Sequence, residues 1–144
     1  MTYLDIAAEL IEHFEGFSLK AYRCPAGILT IGYGHTGDVQ EDETITPEEA
    51  VALLMQDMQS ADHCIDEYVD VEINDDQRAA LLSFIFNLGC GAFRSSSLRR
   101  LLNMGQYAAA GQQFSRWTKA GGMELPGLVT RRSAERVLFE TVKV

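Results

Sequence analysis

Between two stretches of helical periodicity lies a segment that cannot be helical, and it dictates the architecture. Residues 32–37 read Gly-Tyr-Gly-His-Thr-Gly, a glycine density whose backbone entropy cost a helix does not recover. Upstream, Leu4, Ala7, Ala8, Ile11 and Phe14 recur along one helix face, and Gly16 supplies a C-cap. Residues 19–23 and 28–33 are short strand-compatible runs joined through Cys24-Pro25-Ala26-Gly27, followed by an acidic loop over 38–43. Thr46-Pro47-Glu48-Glu49 then starts a helix, with Thr as N-cap, Pro in the first position and Glu three residues after the cap. Val51, Leu54, Met55, Met58, Ala61 and Ile65 continue it.

Downstream the patterning is helical. Asn74 or Asp75 caps a segment carrying Ala80, Leu81, Phe84, Ile85 and Leu88, stopped near Gly89 and Gly91. Ser95 or Ser96 precedes another with Leu98, Leu101 and Leu102, and residues 107–117 and 130–141 complete the set around a loop at 121–127. The expected fold is α+β in one domain over residues 1–144. A small β lobe occupies about 17–45, a linking helix about 47–67, and a helical lobe about 74–144 together with the N-terminal helix. Two lobes of unequal type leave a groove between them, where an extended polymer can lie.

Charge is divided along the chain. Residues 1–76 carry 18 acids and 2 Lys/Arg, whereas residues 77–144 carry 3 acids and 10 Lys/Arg. Either the C-terminal half forms a basic wall suited to an anionic polymer, or the two halves stabilise one another across their interface. Arg99, Arg100, Arg131 and Arg132 are the residues that would serve a nucleic acid, but the acidic first half argues against that partner. No apolar run is long enough to cross a bilayer, and no basic flank followed by an apolar segment marks an export signal. Cys24, Cys64 and Cys90 form no metal motif; free thiols are expected, with one disulfide as the alternative. His13, His35 and His63 make no metal spacing, so no metal or other cofactor is expected.

Glu15 is the acid out of place. It lies four residues beyond Ile11 and seven beyond Ala8, on the apolar face, while Asp5, Glu9 and Glu12 point elsewhere. Partial desolvation and the negative end of the helix dipole both favour its protonated form, the state a general acid needs. The competing reading is a terminal residue turned outward as the helix frays. Thr30 reads as a β-branched strand residue, and His35 as a ligand, a base or a hydrogen-bonded loop residue. Cys24 is a nucleophile only if its thiol pKa is depressed, to which the adjacent Arg23 contributes.

Joined together, these segments resemble a known family. Residues 15–22, Glu-Gly-Phe-Ser-Leu-Lys-Ala-Tyr, followed by residues 24–36, Cys-Pro-Ala-Gly-Ile-Leu-Thr-Ile-Gly-Tyr-Gly-His-Thr, are similar to the phage-type lysozymes of glycoside hydrolase family 24. The similarity resumes at 77–93, through Ser96-Ser97-Leu98, at Phe114-Ser115-Arg116-Trp117 and over 127–136, so that nearly the whole chain is covered. The resemblance implies a lysozyme-like fold and an endolysin that cleaves the β-1,4 bond between N-acetylmuramic acid and N-acetylglucosamine in bacterial peptidoglycan. It implies Glu15 as the catalytic acid and Thr30 as the residue that positions water on the opposite face of the sugar.

An Asp usually stands where this chain has Cys24, although lambdoid phage enzymes resemble it in carrying Cys in the same Cys-Pro-Ala-Gly context. Either Cys24 is ancillary to direct attack by water, or its thiolate is a nucleophile giving retention. His35 is expected to brace its loop, as the matching family residue does. Gly34, His35, Trp117 and Arg132 are the expected substrate-binding residues. Implied biology is a monomer made in the host bacterial cytoplasm, which reaches periplasmic peptidoglycan after a holin-like membrane protein permeabilises the membrane. The alternatives are a lytic transglycosylase giving 1,6-anhydro products and a non-catalytic peptidoglycan-binding protein.

Overall fold

The computed structural model describes residues 2–141. Helix α1 (Tyr3–Glu15) begins at a reciprocal capping box between Thr2 and Asp5 and ends at Gly16, whose φ of 73° suits glycine. Strands β1 (Ser18–Arg23), β2 (Leu29–Gly32) and β3 (His35–Thr36) form an antiparallel sheet in that order. Tyr22 pairs with Thr30, and Ile31 with His35. The glycine-rich segment therefore forms the sheet's last turn and strand.

Helix α2 (Pro47–Tyr68) starts at the expected Thr46 box and leads from the sheet into the helical lobe. Asn74 caps α3 (Asp75–Leu88), which lies at the centre of that lobe and packs against α1, α2 and α7 (Pro126–Phe139). Between α3 and α7 come α4 (Cys90–Arg94), α5 (Ser97–Asn103), α6 (Tyr107–Gln112) and a 3₁₀ turn, Gln113–Arg116. Ala80, Leu81, Leu82, Phe84 and Ile85 on α3 are buried on successive sides of the helix. Phe84 meets Phe93, Phe114 and Trp117 edge to face, with centroids 6.4, 5.5 and 5.6 Å away.

Three expectations change. Cys64 and Cys90 form a disulfide with Cα atoms 5.9 Å apart, leaving only Cys24 free. The free-thiol reading failed because the residues meet through packing of α2 on α4, at a sequence separation of 26. The loop at 121–127 contains a small hairpin, β4 (Lys119–Ala120) and β5 (Met123–Glu124), turned at Gly121 and Gly122 with φ of 58° and 79°. The last helix consequently starts at Pro126 rather than Thr130. Helix α4 follows Gly89 with no side-chain cap, so no start signal advertised it. Among the described residues no helix is long and apolar enough to cross a membrane.

Candidate active site

Glu15 closes α1 where the helix turns into the sheet, and its side chain is 18% exposed. The apolar face does hold it there, but its carboxylate is not left alone. Arg131 from α7 donates through Nη1 to Glu15 Oε2 at 2.5 Å, across 116 residues of sequence. The carboxylate that the periodicity placed on the apolar face is thus paired with a guanidinium that is itself buried. On its other side stands Gly34, with φ of 71°, where a Cβ would lie 2.6 Å from Glu15 Oε1. A side chain at residue 34 would displace the carboxylate, so glycine is needed for space as well as for backbone conformation.

The opposite wall comes from the turn between β1 and β2. The Cys24 N–H donates to the Ile28 carbonyl at 2.9 Å, and the Gly27 N–H donates to the Cys24 carbonyl at 2.7 Å. The Ile28 N–H holds the Cys24 thiol below its usual range against the opposing effect of desolvation, with help from the Ala26 N–H and the Thr30 hydroxyl. Arg23, expected to assist, instead binds Glu41 at 2.6 Å and the Gly27 carbonyl at 2.8 Å. Thr30 is buried, and its hydroxyl donates to the Ile28 carbonyl at 2.9 Å, so that the same single proton would have to turn to serve a Cys24 thiolate. Tyr22, which the sequence reading placed in a strand but gave no role, feels both Glu15 and Cys24: desolvation first, then their negative charges, push its hydroxyl up. Its place opposite Thr30 in the sheet register was the signal that could have found it.

His35 Nδ1 lies 2.7 Å from Asp57 Oδ2 on α2, and its Nε2 lies 3.2 Å from the Gly37 carbonyl. It ties the glycine-rich loop to the linking helix. A cavity of about 240 Å³ runs from Gly34 between sheet and helices, lined by Thr36, Asp57, Ser60, Phe86 and Cys90 among others. The structure thus brings together Glu15, Gly34 and His35 around the glycine-rich loop, and Cys24 with Thr30 around the turn.

Two of the expected substrate contacts are taken up by the core, one wholly and one in part. Arg132 is only 1% exposed, with its Nε 2.6 Å from Glu135 Oε1 and its guanidinium over Phe84, so it cannot touch a substrate. Trp117 is partly buried and spends one face on Phe84. Other cations are also occupied: Arg78 binds Asp62 and Asp66, and Arg99 binds the Tyr68 and Arg94 carbonyls. Arg78 and Arg131 favour the reading in which the two halves of the chain neutralise one another over that of a free basic wall.

Residues 12–135 match the family model described as phage lysozyme. The chain is 41% identical over 136 residues to the endolysin of Acyrthosiphon pisum secondary endosymbiont phage 1, spanning 92% of this chain and 93% of that one. It is 44% identical over 123 residues to the SAR-endolysin of bacteriophage PS119, spanning 85% and 74%. Among solved structures, the muramidase domain of SpmX from Asticaccaulis excentricus is similar with a TM-score of 0.86 at 36% identity, covering 94% of this chain and 95% of that one.

Proposed function

The chain belongs to the phage lysozyme family, and from that premise we propose that it is an endolysin hydrolysing the β-1,4 bond between N-acetylmuramic acid and N-acetylglucosamine. The observation that carries the reading is the Glu15 carboxyl group held between Arg131 and the bare backbone of Gly34, the residue that also lines the open groove between sheet and helices. The glycan lies along that groove. Protonated Glu15 gives its proton to the leaving glycosidic oxygen as the bond to the anomeric carbon breaks. Thr30 orients a water molecule on the opposite face of the sugar. Cys24, favoured as thiolate by the Ile28 N–H, takes the proton released when that water attacks. The products are a new reducing end of inverted configuration and a 4-hydroxyl on the departing sugar.

His35 braces the loop that carries Gly34 through Asp57 and the Gly37 carbonyl. The protein acts as a monomer. It is made in the bacterial cytoplasm and works on periplasmic peptidoglycan once a holin-like membrane protein gives it access. Digestion of purified peptidoglycan tests the reaction: reducing muropeptides are expected by mass spectrometry, with inverted anomers in the first NMR spectra. Products with 1,6-anhydro ends would make it a transglycosylase, and binding without release would make it a non-catalytic module. A retained anomer would instead make Cys24 the nucleophile.

Cys24 is the free thiol in this chain, so alkylation tests its part directly. Iodoacetamide under non-reducing conditions is expected to abolish muralytic activity. Because the thiol pKa is lowered, the thiolate persists to lower pH. The alkylation rate should therefore reach half its maximum below the pH at which an ordinary cysteine does, about 8.5. Stoichiometric alkylation with full activity would remove Cys24 from the mechanism.

A further inference from the structure

Behind Arg131 lies a carboxylate that the reaction does not touch. Glu135 on α7 is fully buried, and its polar partners come from α3 and from its own helix. Ser83 on α3 donates to Glu135 Oε2 at 2.6 Å, and Arg132 Nη2 donates to the same oxygen at 3.0 Å. Arg131 Nε donates to that oxygen as well, at 3.4 Å. Arg131 is held from further directions: its Nη2 lies 3.3 Å from both the carbonyl and the hydroxyl oxygen of Ser83, and its guanidinium sits over the Phe14 ring at 5.8 Å. Only its Nη1 reaches forward to Glu15.

We propose that Glu135 is a positioning residue for catalysis, fixing Arg131 against Glu15 and supplying the negative charge that lets Glu15 hold its proton beside two buried arginines. The proposal rests on the reading of Glu15 as the general acid. Glu15 and Glu135 oppose Arg131 and Arg132, so the four charges cancel when Glu15 is ionised. Protonation of Glu15, which the reaction needs, leaves one positive charge in excess. Were Glu135 also neutral, two guanidiniums would face a single carboxyl group, and the proton would be expelled more readily. Arginine does not deprotonate to relieve this. Burial pushes the Glu135 carboxyl up, while Arg132, the Ser83 hydroxyl and Arg131 pull against it; a hydroxyl and two guanidiniums aimed at its oxygens are the partners a carboxylate accepts from.

The other ionisable groups facing Glu15 are few. From the sheet side come Tyr22, with Cys24 beyond it, and His35 next to Gly34, paired with Asp57; from α1 itself come Glu12 and His13 one turn or less away. From α3 comes only the Ser83 hydroxyl, because Asp75, Asp76 and Arg78 lie at that helix's N-terminal end. The four-charge cluster is therefore the main electrostatic setting of the acid.

Two substitutions with opposite expected effects test this on the full chain. Glu135→Gln keeps an acceptor for Ser83 and the arginines but removes the charge. It should move the alkaline limb of the pH–activity profile to lower pH by about half a unit or more. Arg132→Met removes one cation and should move the same limb to higher pH. Thermal melts establish that each variant is folded; if Glu135→Gln is not, the direction seen with Arg132→Met decides alone. A uniform loss of rate with the alkaline limb unmoved would reduce Glu135 to a packing residue and overturn the proposal. A Glu15→Gln protein with parental activity would instead sink the underlying acid assignment, so the two failures are distinguishable.

Discussion

Glu15→Gln is expected to lower turnover on peptidoglycan by about 10²- to 10⁴-fold, the range for loss of a positioned general acid, while leaving the protein folded. The two halves of this expectation have separate causes. Glutamine cannot supply a proton to the leaving oxygen, so the loss falls on kcat rather than on glycan binding. Its amide oxygen can still accept from Arg131 Nη1, which currently meets Glu15 at 2.5 Å. Arg131 also keeps its contacts to Ser83 and Glu135, so no buried cation is stranded. The melting midpoint should shift by no more than a lost charge-assisted bond implies, about 1–3 kcal/mol. Near-parental activity in a folded variant would refute the assignment.

Reduction of the Cys64–Cys90 bond is the second large effect, and it acts on stability. The bond closes a loop with a sequence separation of 26 between α2 and α4. Chain-entropy arguments assign a closure of that length about 3.5 kcal/mol. Cys64 is 3% exposed, so the thiol freed by reduction remains inside the core and adds no solvated polar group. Denaturant unfolding with and without reductant should show the midpoint fall by the corresponding amount. The Cys64→Ser variant should fall at least as far, because it also buries a hydroxyl. An unchanged midpoint under conditions that demonstrably reduce the bond would mean that helix packing alone fixes α2 against α4.

What the sequence made legible was local. The Thr46 box, the Asn74 and Ser96 caps and the Gly16 stop all act within a few residues, and each stands where the pattern put it or at one of two adjacent positions. The features misread, and the partners left unseen, all depend on distant residues or on backbone alone. Asp57 meets His35 across 22 residues, Cys90 meets Cys64 across 26, and Arg131 meets Glu15 across 116. The 119–124 hairpin has strands of two residues, too short for any alternation to declare them.

Glu135 was available to the same reasoning that singled out Glu15. On α7, Leu128, Arg131, Arg132, Glu135 and Phe139 recur at helical spacing. A charged residue within such a stripe signals a buried network. Arg132 suits a peptide carboxylate by residue type, but its face of the helix, which points inward, is the better guide.

Ile31 and Ala50 are buried, yet neither joins the continuous core that runs from Ala7 to Phe139. The sheet lobe thus rests on its own small apolar contact and on short strands. Local opening of that lobe should cost much less free energy than global unfolding, so amide protons of β1 and β2 should exchange with solvent well before those of α3. Thr30 and Cys24 both lie on the early-opening part. As temperature rises, the proposed water-activating side of the site would come apart while the helical lobe is still intact, and inactivation would precede the cooperative melt.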